Sequence, residues 1–372
     1  MPKRLVVACD GTWNRPDQLS AGVASPTNVA KLALAVARED AGGDPQLLYY
    51  HSGVGTRRFE RVSGGAFGFG LSRNVRDCYR FLVESYEPGD ELYLFGFSRG
   101  AFTARSTAGL VRNCGILRAE HADRIGEAYN LYRARSEPTK PTGIAAQMFR
   151  RMYSHPDARI RFIGVWDTVG ALGIPTGGLR LPWLTRRWGF HDTKLSSRVR
   201  FAYHALSIDE KRGPFRPTLW QRQEHAVDQT LEQVWFAGVH CDVGGGYRDP
   251  ALSEISLLWM VERARACGLA FDPDRFTVSA GSVDGELRHT GVQVAPDALG
   301  EIHESRKGFY LLLGSYVRAL VADGGSLASS AERRHSECTD YDPPGLSSYL
   351  RDHRPVTDVQ DGGSGGARRG GC

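Results

Sequence analysis

Residues 91–105 read Glu91-Leu-Tyr-Leu-Phe-Gly-Phe-Ser98-Arg-Gly-Ala-Phe-Thr-Ala-Arg105 and place a serine between two glycines. The run before Ser98 is apolar and rich in residues that favour strands, whereas the run after it has the composition of a helix. Only small residues allow a strand and a helix to approach as closely as this spacing requires, and Gly96 and Gly100 are such residues. The stretch therefore predicts a strand, a sharp turn at Ser98 and a helix.

A serine at such a turn has a distinct chemistry, because the turn lifts its hydroxyl clear of the backbone. The backbone N–H of Arg99, at the start of the following helix, then points toward a developing oxyanion. A chance Gly-x-Ser-x-Gly pattern in a loop is the alternative, since such short patterns are common. The predicted strand before Ser98 and the predicted helix after it favour Ser98 as a nucleophile.

Short apolar runs alternate with amphipathic stretches through most of the 372 residues. The apolar residues of the runs are nearly continuous, as expected of strands buried on both faces. The pattern predicts an α/β fold of the α/β-hydrolase type, with a mostly parallel central sheet and helices on both faces. The predicted strands are Arg4–Asp10, Gln46–Val54, Glu91–Phe97, Arg159–Val169, Val199–Ile208 and Glu232–Val239. The predicted helices are Asn28–Glu39, Ser72–Tyr86, Gly100–Arg112, Ala119–Ala134 and Ser253–Cys267, with Asn28 and Ser253 as N-caps.

The predicted catalytic domain covers residues 1–322 and contains two segments that interrupt the alternation. Residues of about 117–156 separate two strands by more than a crossover needs, which predicts a helical cap-like insert. Residues 173–194 are rich in Pro, Gly, Trp and Arg and predict a long ordered loop. From residue 323 to 372 the composition changes to Gly, Ser, Arg and Asp, which predicts a disordered polar tail.

Composition excludes several classes of protein. The net charge of +5 comes from scattered basic residues, so we expect no nucleic-acid partner. The seven cysteines are widely spaced without a CxxC pair, which argues against a disulfide framework or a structural zinc site. The N-terminal apolar run is too short for a signal peptide, and no stretch is long enough to cross a bilayer. We expect a cytoplasmic protein, and export by a signal-independent secretion system is compatible with this sequence.

A catalytic serine needs a base and a third group that orients the base. The order expected for this fold is Ser, then Asp or Glu, then His, with all three at the carboxyl ends of strands. Asp167 follows the apolar run 161–166, and His240 follows the run 234–239 before a series of glycines. His204 is a rival base, but it lies within a predicted strand, where core histidines usually occur. Asp242 is an open second candidate for orienting a histidine or binding a cation.

The turn after the first predicted strand contains Asp10, Gly11 and Thr12. In a hydrolase the backbone N–H groups around Gly11 and Thr12 complete the oxyanion hole opposite Arg99, and Asp10 supports the turn. The rival interpretation is an aspartate-nucleophile phosphatase, whose pattern is Asp-x-Asp-Gly-Thr. Position 8 is Ala8, so that nucleophile is missing and we set the phosphatase aside.

Seven motifs in order resemble those of a known family. The matching residues are Cys9-Asp-Gly-Thr-Trp-Asn14, Pro26-Thr-Asn28, Gly53-Val-Gly-Thr56, Gly96-Phe-Ser-Arg-Gly-Ala101, Gly164-Val-Trp-Asp-Thr-Val169, His204-Ala-Leu-Ser-Ile-Asp-Glu210 and His240-Cys-Asp-Val-Gly-Gly-Gly-Tyr247. The chain resembles, over about residues 3 to 320, the uncharacterised α/β-hydrolase family of bacteria and fungi that includes the catalytic module of type VI secretion phospholipase effectors of the first lipase class. The resemblance implies a Ser-Asp-His triad that falls on Ser98, Asp167 and His240. It also implies ester hydrolysis, with phospholipid acyl chains as one substrate class, and no organic cofactor.

Three functional hypotheses follow from the sequence. The first is a serine hydrolase that cleaves small-molecule or lipid carboxylic esters through an acyl-enzyme, with no metal. The second is the narrower case of a lipase or phospholipase that contacts a membrane surface through Leu179–Phe190, where Trp, Leu and Arg are interleaved. Those apolar residues equally fit a role in covering the sheet. The third is a catalytically inactive hydrolase-like module that serves in binding or accompanies a toxin. Protein partners stay open.

Overall fold

The fold is built on a parallel sheet of eight strands. The computed structural model describes residues 2–11, 19–20, 23–53, 64–134, 136–170, 194–224, 226, 228–272, 275–278, 292–321 and 323–362. Its strands are β1 (Arg4–Cys9), β2 (Leu19–Ser20), β3 (Val23–Ala24), β4 (Gln46–His51), β5 (Glu91–Phe97), β6 (Ile160–Trp166), β7 (Val199–Ser207), β8 (Thr230–Phe236), β9 (Phe276–Val278), β10 (Val292–Val294), β11 (Gly325–Ala328) and β12 (Val356–Thr357). The order in the main sheet is β12-β11-β8-β7-β6-β5-β1-β4, and all of its pairs are parallel.

Helices cover both faces of this sheet. They are α1 (Asn28–Ala35), α2 (Gly64–Ser85), α3 (Arg99–Cys114), α4 (Ile125–Arg133), α5 (Ile144–Tyr153), α6 (His240–Gly244), α7 (Ala251–Ala266), α8 (Ser329–Glu337) and α9 (Leu346–Arg351). Short 3-10 helices occupy Ala119–Arg124, Glu137–Thr139, Gly213–Phe215 and Gly308–Leu311. In the described part of the chain, none of the helices is both long and apolar enough to cross a bilayer.

The alternation of side chains along β1 shows why its sequence is apolar throughout. Leu5 and Val7 lie in the core cluster formed with α2 and α3. Val6 and Ala8 lie in the cluster on the other face, formed with α1 and α7. Both neighbours of β1 in the sheet run parallel to it, so the strand has no solvent-exposed face or edge. The predicted α/β class and mostly parallel sheet are confirmed.

All six predicted strands occur in the main sheet, with ends that differ by a few residues. The predicted insert of about 117–156 contains α4, α5 and two 3-10 helices, which pack against α2 and α3. The N-cap of α1 is Thr27, whose hydroxyl accepts a hydrogen bond from the Ala30 N–H at 3.2 Å, and not Asn28. Pro250, and not Ser253, occupies the N-cap position of α7. Nearly all of the predicted 173–194 loop lies outside the described residues.

The predicted disordered tail is wrong over much of its length. Residues 325–328 form β11, which pairs with β8, and Val356–Thr357 pairs in turn with β11. Leu327 and Ala328 are buried, and α8 and α9 pack beside them through Ala331 and Leu346. The polar composition of this region reflects a short edge of the sheet with many exposed residues, while a few apolar side chains hold it in place. Residues 363–372 lie outside the described part of the chain.

Candidate active site

Ser98 lies on a sharp turn between β5 and α3. Its backbone angles are φ 58° and ψ −118°, a left-handed conformation that a serine rarely adopts. A Cβ atom on Gly96 would lie 2.5 Å from the Gly100 carbonyl oxygen, so the close approach of strand and helix requires glycine there. The predicted strand, turn and helix are therefore all present. A strained serine held between two packed elements is typical of a functional residue.

Gly100 brings the first strand up to this turn. A Cβ atom on Gly100 would lie 2.1 Å from the Cys9 carbonyl oxygen and 2.5 Å from that of Asp10. The first turn of α3 thus packs directly on the carboxyl end of β1, which only glycine permits. As a result the turn that begins at Asp10 lies beside Ser98.

Asp167 and His240 come together at the same edge of the sheet. Asp167 follows β6, and His240 is the first residue of α6, which follows β8. The Nδ1 atom of His240 lies 2.5 Å from Asp167 Oδ2, and both side chains are buried. Because a carboxylate only accepts, Nδ1–H donates this bond and leaves Nε2 as the ring's basic atom.

The imidazole also lies against the turn that carries Ser98. The His240 ring centroid is 4.6 Å from that of Phe97, the residue before Ser98. Both Ser98 and His240 are described, and the structure shows no hydrogen bond between their side chains. In hydrolases without substrate, the hydrogen bond between the serine hydroxyl and the histidine is often long, and it tightens only when the substrate binds.

The guanidinium of Arg318, which the sequence did not indicate as a site residue, contacts both oxygens of Asp167. Its Nη1 atom lies 2.5 Å from Asp167 Oδ1, and its Nη2 atom lies 3.0 Å from Oδ2. Both side chains are fully buried. Burial raises the pKa of the Asp167 carboxyl, but the Arg318 charge and the His240 hydrogen bond outweigh it, so that pKa lies well below its usual range. Asp167 is therefore an ionised carboxylate at neutral pH.

Burial has the opposite consequence for His240. It lowers the pKa of the imidazole below its ordinary value of 6.5, although the hydrogen bond and charge of Asp167 act to raise it. The ring is therefore neutral at pH 7 and able to accept a proton. Glu210 also holds His240, because Glu210 Oε2 accepts a hydrogen bond from the His240 backbone N–H at 3.3 Å. The same oxygen forms an ion pair with Arg212 at 2.8 Å.

His204, the rival base, is fully buried within β7. Its Nε2 atom accepts a hydrogen bond from the Thr168 N–H at 3.1 Å, and its Nδ1 atom lies 3.3 Å from Gln233 Oε1. Burial lowers the pKa of His204 to about 3. Both ring nitrogens are thus occupied inside the sheet, and His204 is a structural residue, as its position within a strand indicated.

Asp242 orients a different histidine from the one in the site. Its carboxylate accepts the Val239 N–H at 2.9 Å and contacts His303 Nδ1 at 2.6 Å. These bonds hold the start of α6, and with it His240. In the described ranges, no three His, Cys, Asp or Glu side chains are grouped so as to hold a metal ion.

The turn after β1 differs from the expected oxyanion hole. The Gly11 N–H donates to Asp10 Oδ1 at 2.6 Å, so it is already engaged and does not point to Ser98 as a donor. Asp10 does hold the turn, because its Oδ2 atom accepts the hydroxyls of Thr27 at 2.8 Å and Tyr50 at 2.5 Å. Thr12 lies outside the described residues.

Asn28, part of the Pro-Thr-Asn motif, connects α1 to the histidine helix. Its amide donates to the carbonyl oxygens of Val243 and Ser253 at 2.9 and 2.8 Å. Gly244 allows α6 to approach the Ser98 turn, because a Cβ atom there would lie 1.9 Å from the Phe97 ring. Gly244 in the glycine series after His240 is therefore a packing requirement.

A parallel sheet with a serine turn after β5, and with an acid and a histidine after later strands, defines an α/β-hydrolase architecture. Residues 3–263 match the model of the family described as T6SS, phospholipase effector Tle1-like, catalytic domain. The chain belongs to this family.

Individual relatives are more distant. A curated uncharacterized protein of Saccharomyces cerevisiae is 29% identical over 235 residues, which is 58% of this chain and 32% of that protein. A crystal structure of an uncharacterized protein from Pseudomonas aeruginosa is 20% identical, covers 73% of this chain and 46% of its own, and has a TM-score of 0.45. The structure of the Tle1 effector bound to the VgrG spike from the type 6 secretion system is 20% identical, covers 66% and 51%, and has a TM-score of 0.37. The chain thus spans about a third to a half of the length of these relatives.

Proposed function

We propose that this protein is a serine hydrolase that cleaves carboxylic esters through an acyl-enzyme, with Ser98, Asp167 and His240 as its catalytic triad. The observation that carries the proposal is the buried series of contacts from Arg318 to Asp167 to His240, which ends beside the strained Ser98 turn. Such a series fixes one tautomer of the imidazole and keeps its Nε2 atom basic.

In the first half-reaction, His240 Nε2 accepts the Ser98 proton as Oγ forms a bond to the ester carbonyl carbon. The carbon–oxygen bond to the alcohol then breaks, and the same proton passes from His240 to the leaving alkoxide. Asp167 stabilises the imidazolium that exists between these two transfers. The Arg99 N–H at the first position of α3 is one donor to the oxyanion, because the first N–H groups of a helix have no partner within it.

In the second half-reaction, water replaces the alcohol. His240 removes a proton from the water, whose oxygen attacks the acyl carbon, and returns that proton to Ser98 as the ester bond to the enzyme breaks. The products are the free carboxylic acid and the regenerated hydroxyl. Arg318 does not touch the reacting atoms. It acts as a positioning residue that keeps Asp167 ionised and oriented.

The proposed substrates are lipid esters. The family description names phospholipase effectors, and this membership favours phospholipid acyl esters over small soluble esters. Release of a fatty acid from a phospholipid requires only the chemistry above, with no cofactor or metal.

A fluorophosphonate probe tests the nucleophile directly, because it reacts only with an activated serine. We expect it to label the protein at Ser98, and we expect Ser98→Ala to abolish both labelling and ester hydrolysis. Ser106→Ala is the matched control, since Ser106 is a buried serine two turns along the same helix. A folded protein that neither reacts with the probe nor hydrolyses esters of any chain length would instead be an inactive binding or toxin-associated module.

A further inference from the structure

Large apolar side chains are exposed in the segment that precedes Arg318. In the 3-10 helix Gly308–Leu311 and the residue after it, the exposed fractions are 48% for Phe309, 57% for Leu311 and 81% for Leu312. We call these three residues the apolar rim. Single exposed apolar residues are ordinary, whereas three within four positions concentrate exposed apolar surface in one place, as interaction sites do.

The apolar rim is held outward by contacts on the inner side of the same segment. Tyr310, between Phe309 and Leu311, stacks edge-on against Phe215 with 5.8 Å between the ring centroids. The backbone is fixed as well, because the Gly213 N–H donates to the Gly314 carbonyl and the Tyr316 N–H to the Lys211 carbonyl, each at 2.9 Å. The apolar rim is therefore exposed because these contacts fix the conformation of the segment that carries it.

The rim lies next to the proposed catalytic residues. Phe215, which contacts Tyr310, also lies with its ring centroid 5.0 Å from that of His240. Tyr310 is close to the residue after the nucleophile too: burial lowers the pKa of Arg99 to about 10, and Tyr310 acts to raise it. A surface bound at the rim would thus be separated from His240 by the two ring contacts of Phe215.

Positive charges adjoin the rim on its N-terminal side, at Arg306 and Lys307. Lys307, Lys211 and Arg216 are exposed, and Arg306 donates from Nη2 to the Leu311 carbonyl at 3.1 Å. Acidic side chains lie on the side of Lys211 and Tyr316, where the exposed residues Glu304, Asp340 and Asp342 line the same groove. Glu210 is buried and paired with Arg212. Apolar side chains that insert among acyl chains, bordered by cations that meet head groups, are the chemistry of binding to an anionic lipid surface.

We propose that the apolar rim docks this protein on an anionic phospholipid bilayer and so presents membrane esters to Ser98. The inference deepens the proposed function and rests on it. Its occupant is the bilayer, because the rim combines exposed apolar side chains, the adjoining cations Arg306 and Lys307, and continuity with the edge of the sheet that carries His240. A protein partner at this surface is an outcome that the experiment below would reveal.

The experiment measures binding without turnover. Ser98→Ala protein is mixed with phosphatidylcholine vesicles, with or without phosphatidylglycerol, and the bound fraction is determined by flotation. We expect binding that rises with phosphatidylglycerol and falls with salt. The double variant Phe309→Ser with Leu312→Ser in the same background is expected to bind at least about tenfold more weakly, because two large apolar side chains no longer enter the bilayer.

The matched control removes a similar apolar area elsewhere. Ile144 and Met148 are exposed by 64% and 56% on one stripe of α5. That helix contacts the far end of α3, where Arg150 Nη1 donates to the Asn113 carbonyl, about 22 Å of helix away from Ser98. Ile144→Ser with Met148→Ser should bind vesicles within about twofold of the parent, since this stripe is not part of the rim.

Two results would overturn the proposal. One is equal binding by the rim variant and the parent, including binding of neither to any vesicle, which would point to a protein partner. The other is an equal loss in rim and control variants, which would indicate non-specific adsorption. Neither result depends on catalysis, because hydrolysis of a monomeric short-chain ester by protein with Ser98 tests the triad separately. In that active protein, we expect the rim variant to lose at least about tenfold more activity on vesicles than on the monomeric ester.

Discussion

Replacing Arg318 with Met tests whether this buried cation controls Asp167, the acid of the proposed triad. Methionine retains an unbranched apolar chain but removes both hydrogen bonds to Asp167, at 2.5 and 3.0 Å. Asp167 is fully buried, so in the variant its charge keeps, among the described residues, only His240 and the Ser207 N–H, at 3.2 Å, as partners. Breaking a buried ion pair on one side typically costs about 3–5 kcal/mol, and we expect a loss of unfolding free energy of that order.

The pH dependence of activity should change in a defined direction. The proposed mechanism requires ionised Asp167 and neutral His240. Without Arg318, the pKa of Asp167 rises toward its ordinary range, and the uncompensated carboxylate holds a proton on His240 more strongly. Both effects move the acid limb of the kcat/KM profile to higher pH. A change in interaction of about 1.4 kcal/mol corresponds to one pH unit, and we expect a shift of at least that size.

The assay is hydrolysis of a soluble ester across the pH range in which the variant stays folded, with thermal melts at each pH. Arg334→Met is the control, because Arg334 is also buried but its Nη1 atom donates to the carbonyls of Ala298 and Gly300 and not to a carboxylate. That variant should lose stability without a shift of the acid limb. A folded Arg318→Met protein with an unchanged acid limb and an unchanged rate would refute the reasoning.

Three further outcomes are expected. Ser98→Ala should lose about 10⁶-fold in kcat with little change in melting temperature, and Ser98→Gly should be more stable than Ser98→Ala by about 1 kcal/mol because φ is +58°. Asp167→Asn should lose about 10⁴-fold in kcat. The pKa of Asp167 is lower in the folded protein than its ordinary value of 3.8, so its ionised form stabilises the fold above pH 3.8, and this stabilisation is lost as the pH falls toward the folded pKa. In denaturant melts, the unfolding free energy of Asp167→Asn should therefore depend less on pH in the acid range. Gly100→Ala should lose about 3 kcal/mol or fail to fold because its Cβ would meet the Cys9 carbonyl at 2.1 Å, whereas Gly126→Ala, with open space around it, should be neutral or stabilising in the same melts.

The sheet could be predicted from sequence because its strands are buried on both faces. A nearly continuous apolar run such as 91–97 is typical of a strand in a parallel sheet that is covered by helices on both faces. Asp167 and His240 each follow one of these strands, so we expected their side chains to lie close together. Their contact at 2.5 Å agrees with that expectation. These inferences need only local pattern and the rule that such ends share one edge.

Arg318 could not be found in this way. A charged residue is normally expected at the surface, and the residues around Arg318 follow neither a helical nor a strand period. Its burial depends on a partner 151 positions earlier in the chain, which local pattern does not contain. β11 was missed for a related reason, because a four-residue edge strand is specified by its pairing with β8 and not by its own composition.

The expectation that the Gly11 N–H completes an oxyanion hole depended on the direction of a single backbone N–H group. The sequence placed this turn correctly beside Ser98, since Gly100 requires contact with the end of β1. It did not show that the neighbouring Asp10 carboxylate accepts the Gly11 N–H at 2.6 Å. Whether the Gly11 N–H points to the Asp10 carboxylate or toward Ser98 depends on the backbone angles of the turn, and the sequence pattern does not determine these angles.

The functional unit extends beyond the part that matches the family model. That match ends at residue 263, yet Arg318 supplies the cation that keeps Asp167 ionised. The segment that carries Arg318 also carries the apolar rim, and Gly314 and Tyr316 between them are bonded to the backbone of 211–213. Residues 313–317, fixed in this way, therefore join the rim directly to the arginine that keeps Asp167 ionised.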